Sequence, residues 1–175
     1  MSENRNMNSS RYESKPLSHV GHSNRSLHLL DLENLVGDPS ANASTVAKAI
    51  NAYRSLAEVV PGDHAVIAAH GKLLLEASRV WPNALLRVGR GPSGSDRRLL
   101  QEVEPHNIAK RFHRVVFGSG DGIFAGAARS LVCLGMKVLV VGRPGSVSIR
   151  LREAIPVRYL TITEGMDSDE LTEVA

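Results

Sequence analysis

The stretch VVFGSGDGIFAGAARSLVCLG, from Val115 to Gly135, decides the fold. An apolar run rich in β-branched residues leads into a glycine-rich turn that carries Asp121, and residues with helical spacing come next. This order predicts a buried strand, a tight joint and a helix, which is the repeating unit of a parallel sheet. Asp121 would then lie at the carboxyl end of a strand, the edge where open α/β sheets bind their ligands.

Strand-like and helix-like segments alternate along most of the chain. Strands are predicted at 26–33, 63–70, 84–90, 114–119, 137–143 and 157–162, and helices at 44–60, 72–81, 95–112 with a break at Pro105, 121–134 and 146–154. This alternation predicts an α/β protein, a three-layer α/β/α sandwich around a mainly parallel sheet.

Cys133 falls within an apolar helical pattern and is expected to be a buried structural thiol. A single cysteine forms neither a disulfide framework nor a zinc site.

Composition divides the 175 residues into a core and two polar ends. Residues 1–26 are rich in Ser and Asn, and this composition predicts a disordered arm. The folded domain is predicted at residues 27–162, and residues 163–175 are predicted to be an acidic tail. The chain lacks the apolar stretch of a signal peptide or a membrane span, so we expect a cytoplasmic protein without a membrane partner. Residues 27–160 hold 17 basic and 11 acidic residues, a net charge of +6, which suits a polyanionic partner, although solubility alone explains it equally well.

Acidic residues stand at the ends of three of the predicted strands. Asp31 and Glu33 end the first strand, Asp96 opens the helix after the third, and Asp121 comes after the fourth. Parallel strands place these joints on one edge, where mutual repulsion is costly unless a cation offsets it, and Mg²⁺ or Mn²⁺ binds through such oxygens. Helix capping is a competing explanation for Asp96 and Asp121, whereas Asp31 interrupts an apolar strand, where a buried charge is costly.

Other motifs give weaker signals. Residues 89–94, GRGPSG, match the dinucleotide-binding pattern G-x-G-x-x-G, but they come after the third strand and Pro92 removes a backbone donor. A nucleotide-binding enzyme therefore stays an alternative that rests on this loop alone. The histidines lack metal-ligand spacing, His28 is expected to pack in the core, and Ser119 lacks the setting of a hydrolase nucleophile.

Three segments together carry a resemblance to a known family. LHLLDLENLVG, GSDRRLL and VVFGSGDGIFAGAARSLVCLGMKVLVVGRPGSVSIRLREA resemble the NYN domain family of PIN-like ribonucleases, from about Leu27 to Leu160. The resemblance implies a PIN-like (NYN) fold and hydrolysis of RNA with Mg²⁺ or Mn²⁺ held by acidic residues. Asp31, Asp96 and Asp121 match the family's acids and would hold the metal, and Asn34 and Ser119 would orient ligands or water.

The chain departs from the family pattern at one acid. The fuller motif reads S-G-D-x-D-F, and Ile123 stands where the second aspartate is expected, with Glu33 as a candidate replacement. The alternative function is therefore a non-catalytic module that binds RNA or a protein partner.

The exposed edge of the last strand is a candidate surface for a homodimer. Four arginines are candidates for phosphate contact, with solvated helix faces as the competing explanation: Arg90, Arg97, Arg98 and Arg143.

Overall fold

Six apolar segments pair side by side into one sheet in the computed structural model, which describes residues 24–162. The strands are β1 Ser26–Asp31, β2 His64–Ala69, β3 Leu85–Val88, β4 Arg114–Gly118, β5 Lys137–Gly142 and β6 Val157–Tyr159. Every neighbouring pair is parallel. The predicted ends, 1–23 of the arm and the acidic tail 163–175, lie outside the described residues, and β1 begins at Ser26, one residue before the predicted domain boundary.

Helices connect the strands and cover both faces of the sheet, as the predicted three-layer sandwich requires. They are α1 Leu32–Val36, α2 Ala43–Leu56, α3 Gly71–Val80, α4 Gly94–Leu100, α5 Pro105–Arg111, α6 Ala125–Cys133 and α7 Ile149–Arg152, with a short 3₁₀ turn at Gly122–Phe124. Pro105 occupies the first turn of α5, which confirms the predicted break between α4 and α5. Among the described residues, no helix combines the length and apolarity that a membrane span requires.

The strand order β3-β2-β1-β4-β5-β6 creates a switch point between β1 and β4. From β1 the chain adds β2 and β3 on one side, then returns to place β4 on the other side. Connections after β1 and β4 therefore leave the sheet in opposite directions and open a crevice at the carboxyl ends of these strands. Residues directly after β1 or β4 are placed at this crevice by topology alone.

Alternation along β1 assigns its side chains to two separate cores. Leu30 belongs to the core beneath α1, α2 and α3, whereas Leu27 and Leu29 belong to the core beneath α4 to α7. Asp31 lies two residues after Leu29, so its side chain is on the same face of the sheet and extends toward the layer that contains α4. The period of the strand thus determines which helix meets the acid at its end.

The first strand ends earlier than the sequence predicted. We expected strand through Glu33, but β1 ends at Asp31 and α1 begins at Leu32. The Asp31 carboxylate accepts a hydrogen bond from the backbone N–H of Asn34, and Gly37 ends the helix in the left-handed conformation. Glu33 is therefore a helical residue, and its side chain obeys the geometry of α1 rather than that of β1.

Cys133 is exposed, which contradicts the prediction of a buried thiol. The buried positions of α6 are Ala125, Ala128 and Leu131, spaced three residues apart. Cys133 lies two residues beyond Leu131, a rotation of about 200° around the helix axis, so it faces solvent. The apolar composition of this segment concealed which face is covered.

A buried polar contact lies within the α2–α3 side of the core. His28 is fully buried, with Nδ1 3.0 Å from the Tyr53 hydroxyl and Nε2 3.2 Å from the Asp63 carboxylate. This confirms the predicted core histidine. Burial lowers the pKa of His28, while the hydrogen bond and the charge of Asp63 oppose that shift. The folded protein therefore favours a neutral imidazole at this position.

Acidification is expected to destabilise the wild type relative to His28→Gln. The pKa of His28 is lowered in the fold, so below pH 6.5 the unfolded chain binds a proton that the folded chain does not, and stability is lost as pH falls. The difference in unfolding free energy between the two proteins should shift by about 1 kcal/mol per pH unit below that value. Urea denaturation at about pH 7.5 and pH 5.5 measures this shift, and a constant difference would contradict it.

Candidate functional site

Asp31, Asp96 and Asp121 define the acidic site, at the carboxyl edge of the sheet. Asp31 ends β1, and Asp121 comes after β4, the two strands that flank the switch point. Asp96 lies in the first turn of α4, which packs against β1, β2, β3 and the 3₁₀ turn. The structure thus brings the three predicted acids to one edge from three separate parts of the chain.

Asp31 and Asp96 form a buried carboxyl pair. Their exposed fractions are 5% and 6%, and Asp96 Oδ1 receives no hydrogen bond within the described part of the chain. Burial raises the pKa of Asp31 to about 8, and the hydrogen bond and charge of Asp96 contribute to that rise. Burial also raises the pKa of Asp96, and the charges of Asp121 and Glu33 add to it. Without a cation, the pair holds a shared proton because two adjacent buried anions repel each other.

Asp96 does not cap its helix. The capping position of α4 is Ser93, in a left-handed conformation and without a side-chain cap hydrogen bond. Gly89, at the start of the same loop, lies so close to the first turn of α4 that an added Cβ would be 2.4 Å from the Ser95 hydroxyl oxygen. The glycines of the 89–94 loop therefore accommodate this chain's own helix start, which directs Asp96 inward.

Asp121 does cap a helical turn, as the competing interpretation predicted. Its carboxylate accepts a hydrogen bond of 2.9 Å from the backbone N–H of Ile123. Oδ1 is the acceptor in this bond, and the residue is only partly buried. Capping and ligand binding are compatible, because a carboxylate has more lone pairs than one backbone donor uses.

Asn34 and Ser119 hold the turn that presents Asp121. The Asn34 side-chain oxygen accepts a 2.9 Å hydrogen bond from Gly120 N–H, and the buried Ser119 hydroxyl accepts one of 3.2 Å from Asp121 N–H. A Cβ at Gly120 would lie 2.3 Å from the Ser146 carbonyl oxygen, so glycine is required there. The structure therefore gives both predicted polar residues positioning contacts to the backbone.

Glu33 and His70 form a pair that the sequence did not predict. One Glu33 carboxylate oxygen accepts hydrogen bonds from His70 N–H, at 2.8 Å, and from its ring nitrogen Nδ1. The other oxygen lies 3.5 Å from the Ser95 hydroxyl, next to Asp96. Glu33 is therefore engaged with His70 rather than placed as a simple replacement for the missing acid. The sequence gives only an indirect indication of this pair, namely a glutamate in the first turn of α1 and a histidine directly after β2, at the same edge of the sheet.

Three of the four predicted phosphate-binding arginines share one groove. Arg90, Arg97 and Arg98 line a cavity of about 560 Å³ between the edge strand β3 and α4, together with Arg87, which was not among the predicted residues. We call these four residues the arginine groove. Arg87 pairs with Glu102 at 2.6 Å, and Arg98 donates to Gln101.

Arg143 lies apart from this set. Its Nε donates a 2.8 Å hydrogen bond to the Asn34 carbonyl oxygen, and its guanidinium occupies the space beside Gly37. Arg143 therefore ties the loop after β5 to α1, where it supports the residue that holds the Asp121 turn. Its observed contacts are with the protein backbone.

Ile123 projects at the rim of the acidic site. It is 41% exposed and lies two residues after Asp121 within the 3₁₀ turn. Ile149, at the start of α7, is 60% exposed, and α7 packs against the same turn. Two exposed apolar residues thus lie on elements that pack together next to Asp121.

The donor set of the acidic site fits a hard divalent cation in chemistry. All candidate ligands are carboxylate oxygens, the Asp31–Asp96 pair is buried, and Asp96 Oδ1 has no partner that a cation would displace. Across residues 24–162, no group of three or more His, Cys, Asp or Glu side chains has the convergent geometry of a formed metal site. The fit therefore rests on ligand type, burial and the unpartnered oxygen.

Comparison with known proteins supports the fold. A crystal structure of a protein of unknown function from Vibrio parahaemolyticus matches with a TM-score of 0.55 and 18% sequence identity, covering 84% of this chain and 98% of that chain. At this identity the likeness shows the shared α/β architecture alone. No protein-family model and no curated protein matches the chain.

Asp31→Asn is expected to stabilise the protein at about pH 7.5 without divalent cations. The pKa of Asp31 is raised to about 8 in the fold, so keeping this group protonated costs stability as pH rises above 3.8. An amide carries no charge, can donate to Asp96 and remains a good N-cap. We expect a gain of about 1–3 kcal/mol that shrinks at about pH 5.

Urea denaturation at the two pH values measures this gain. Asp121→Asn is the matched control, because Asp121 is less buried and asparagine also caps a turn, and its effect should stay within about 0.5 kcal/mol. A destabilised Asp31→Asn at both pH values would show that the carboxyl pair is not strained.

Proposed function

We propose that this protein is a metal-dependent ribonuclease of the NYN/PIN-like class that hydrolyses RNA phosphodiester bonds. The observation that carries the proposal is the buried Asp31–Asp96 pair with its unpartnered oxygen, beside Asp121 at the switch point. Folded proteins leave few buried polar atoms unsatisfied, and such an atom in a crevice calls for a ligand. The family resemblance supports the same conclusion.

Each site residue has a defined part in the proposed reaction. Asp31, Asp96 and Asp121 would hold Mg²⁺ or Mn²⁺, which when bound supplies an activated water and positive charge at the scissile phosphate. Asn34 and Ser119 keep the Gly120–Asp121 backbone in place through their hydrogen bonds. They orient the Asp121 carboxylate rather than touch the substrate.

Charge favours a polymeric substrate over a small phosphate ester. The arginine groove runs along α4, the same helix whose buried side carries Asp96. A strand whose phosphates contact Arg90 and Arg97 would therefore lie next to the acidic site. Arginine suits this task because its fork of donors matches phosphate oxygens. The proposed substrate is cytoplasmic RNA.

A second function, a non-catalytic module that binds RNA or a protein partner, is favoured by Ile123. This exposed apolar residue takes the place of a carboxylate of the family motif, and α7, which begins at the exposed Ile149, packs against the same turn. Fewer carboxylates weaken the binding of a divalent cation. The module would keep the arginine groove and bind RNA without cleaving it.

Cleavage of a labelled, mixed-sequence RNA is expected with Mn²⁺ or Mg²⁺ and not with EDTA. Asp31→Asn, Asp96→Asn and Asp121→Asn should each lower the rate by about 10²-fold or more, because each removes charge that holds the cation. Glu153→Gln, which alters an exposed acid of the turn after α7, is the matched control and should cleave like the wild type. Gel analysis of time courses provides the rates.

Two results distinguish the ribonuclease from the non-catalytic module. Cleavage that persists in EDTA, or that survives all three substitutions, contradicts the metal-dependent nuclease. RNA binding by fluorescence anisotropy without cleavage by any protein favours the non-catalytic module.

Ile123→Asp is expected to strengthen cation binding. It places a fourth carboxylate two residues after Asp121, at a position that is 41% exposed and belongs to neither hydrophobic core. The Mn²⁺-dependent rise in melting temperature should begin at about tenfold lower Mn²⁺ than in the wild type. Ile123→Asn is the matched control of equal shape without charge. Equal responses of the two variants would show that position 123 lies outside the cation's reach.

A further inference from the structure

We propose that His70, oriented by Glu33, is a further catalytic residue that donates a proton to the leaving oxygen of the cleaved phosphodiester. The inference rests on the proposed hydrolysis and adds a residue that lies outside the motifs shared with the family. It depends on one juxtaposition: an imidazole bound to a carboxylate that also reaches Ser95, the residue before Asp96.

The fold positions His70 at the same edge as the acids. In the sheet register Ala68 pairs with Asp31, and His70 lies two residues later, at the start of α3. Glu33 lies two residues after Asp31 and reaches across from α1 to His70. Ser95, which lies 3.5 Å from the second Glu33 oxygen, precedes Asp96. Glu33 therefore links His70 to the residue next to Asp96, at the edge of the sheet where Asp31 ends β1.

The contact with Glu33 determines which ring nitrogen is available. A carboxylate accepts hydrogen bonds, so Nδ1 must carry the proton in this contact, and Nε2 is the remaining nitrogen. Glu33 also accepts from the His70 backbone N–H, which fixes the base of the side chain. The imidazole is 53% exposed and Glu33 25% exposed, so the ring is anchored at one nitrogen and open to a substrate and to solvent. A carboxylate is a common partner for orienting a working histidine.

Proton donation is the task that the other site groups do not perform. With a cation bound, the acidic site supplies acceptors only, Asn34 and Ser119 contact the backbone, and arginine does not release its proton. Histidine changes its charge near neutral pH and is the residue most often used for proton transfer. His70 therefore complements the acids instead of duplicating them.

The proposed step exchanges one bond to phosphorus for another. The oxygen of a water molecule forms a bond to phosphorus, and the bond from phosphorus to the leaving ribose oxygen breaks. The imidazolium proton on Nε2 passes to that oxygen and yields a hydroxyl group, while the water proton is released to solvent. His70 becomes neutral, retains its Nδ1 proton on Glu33, and recovers the Nε2 proton from solvent. No electrons are exchanged with an external oxidant or reductant.

Substitution of the leaving oxygen by sulfur tests this step. His70→Gln should cleave ordinary RNA about 10²-fold more slowly than the wild type with Mn²⁺. On oligonucleotides with sulfur at the 3′ or the 5′ bridging position, whichever the product ends identify as leaving, the loss should fall below about threefold. A thiolate is far less basic than an alkoxide and departs without a proton. A merely structural role would slow both substrates equally.

Two measurements exclude trivial causes. His106→Gln, a change at a histidine of α5 that lines a separate cleft with residues of α6, is the matched control and should leave both rates unchanged. His70→Gln should keep the wild-type rise of melting temperature with Mn²⁺, because His70 is not among the residues that hold the cation. Loss of that rise would overturn the proposed role by making His70 part of the cation site.

An independent readout needs no activity. Two-dimensional ¹⁵N–¹H spectra of the imidazole nitrogens, recorded at high pH where the ring is neutral, should show His70 of the wild type with its single proton on Nδ1, and Glu33→Ala should lose this preference. A neutral wild-type ring with its single proton on Nε2 overturns the orientation that the role requires. A wild type that leaves RNA intact overturns both the ribonuclease and this role, whereas full activity of His70→Gln on ordinary RNA overturns the role of His70 alone.

Discussion

The pairing of β1 between β2 and β4 is the constraint on which the rest of the molecule depends. Because all strands are parallel, every strand-to-helix joint falls on one edge, and because the order reverses at β1, the joints after β1 and β4 diverge there. A polar residue at the end of β1 is consequently placed among residues from distant parts of the chain. Asp31 is buried for this reason, so the ionisation of its carboxyl group affects the stability of the whole fold.

Burial of two carboxyl groups gives this edge its chemical character. The pKa of Asp31 rises because burial and Asp96 both disfavour its charge, and Asp96 retains an oxygen without a partner among the described residues. Such an arrangement lowers the stability of the fold, and groups that do so are concentrated at functional sites, where they serve binding or catalysis. The surrounding structure is correspondingly braced: Asn34 and Ser119 hold the Asp121 turn, and Arg143 supports the backbone of Asn34. A cation would convert the repulsion into coordination.

Strand period and sheet topology can be predicted from the sequence, whereas contacts between distant residues cannot. Alternation and the parallel-sheet rule are sufficient to place Asp31, Asp96 and Asp121 on one edge. The start of α1 at Leu32 was missed because Asp31 acts both as the last strand residue and as the helix cap. That error concealed the Glu33–His70 pair, since the contact joins residues 37 positions apart and exists only if Glu33 is helical. The exposure of Cys133 was missed because apolar neighbours do not reveal which helix face is covered.

The two unusual features of the rim, Ile123 and the Glu33–His70 pair, lie on opposite sides of Asp31. Ile123 belongs to the turn after β4, whereas His70 comes after β2, and Asp31 ends β1, the strand between them. An exposed apolar residue thus lies on the β4 side, while a carboxylate and an imidazole lie on the β2 side. A substrate phosphate at the acids would meet an apolar surface in one direction and a proton donor in the other. Under the proposed hydrolysis, this asymmetry would give a bound strand a preferred direction, with its leaving oxygen toward β2.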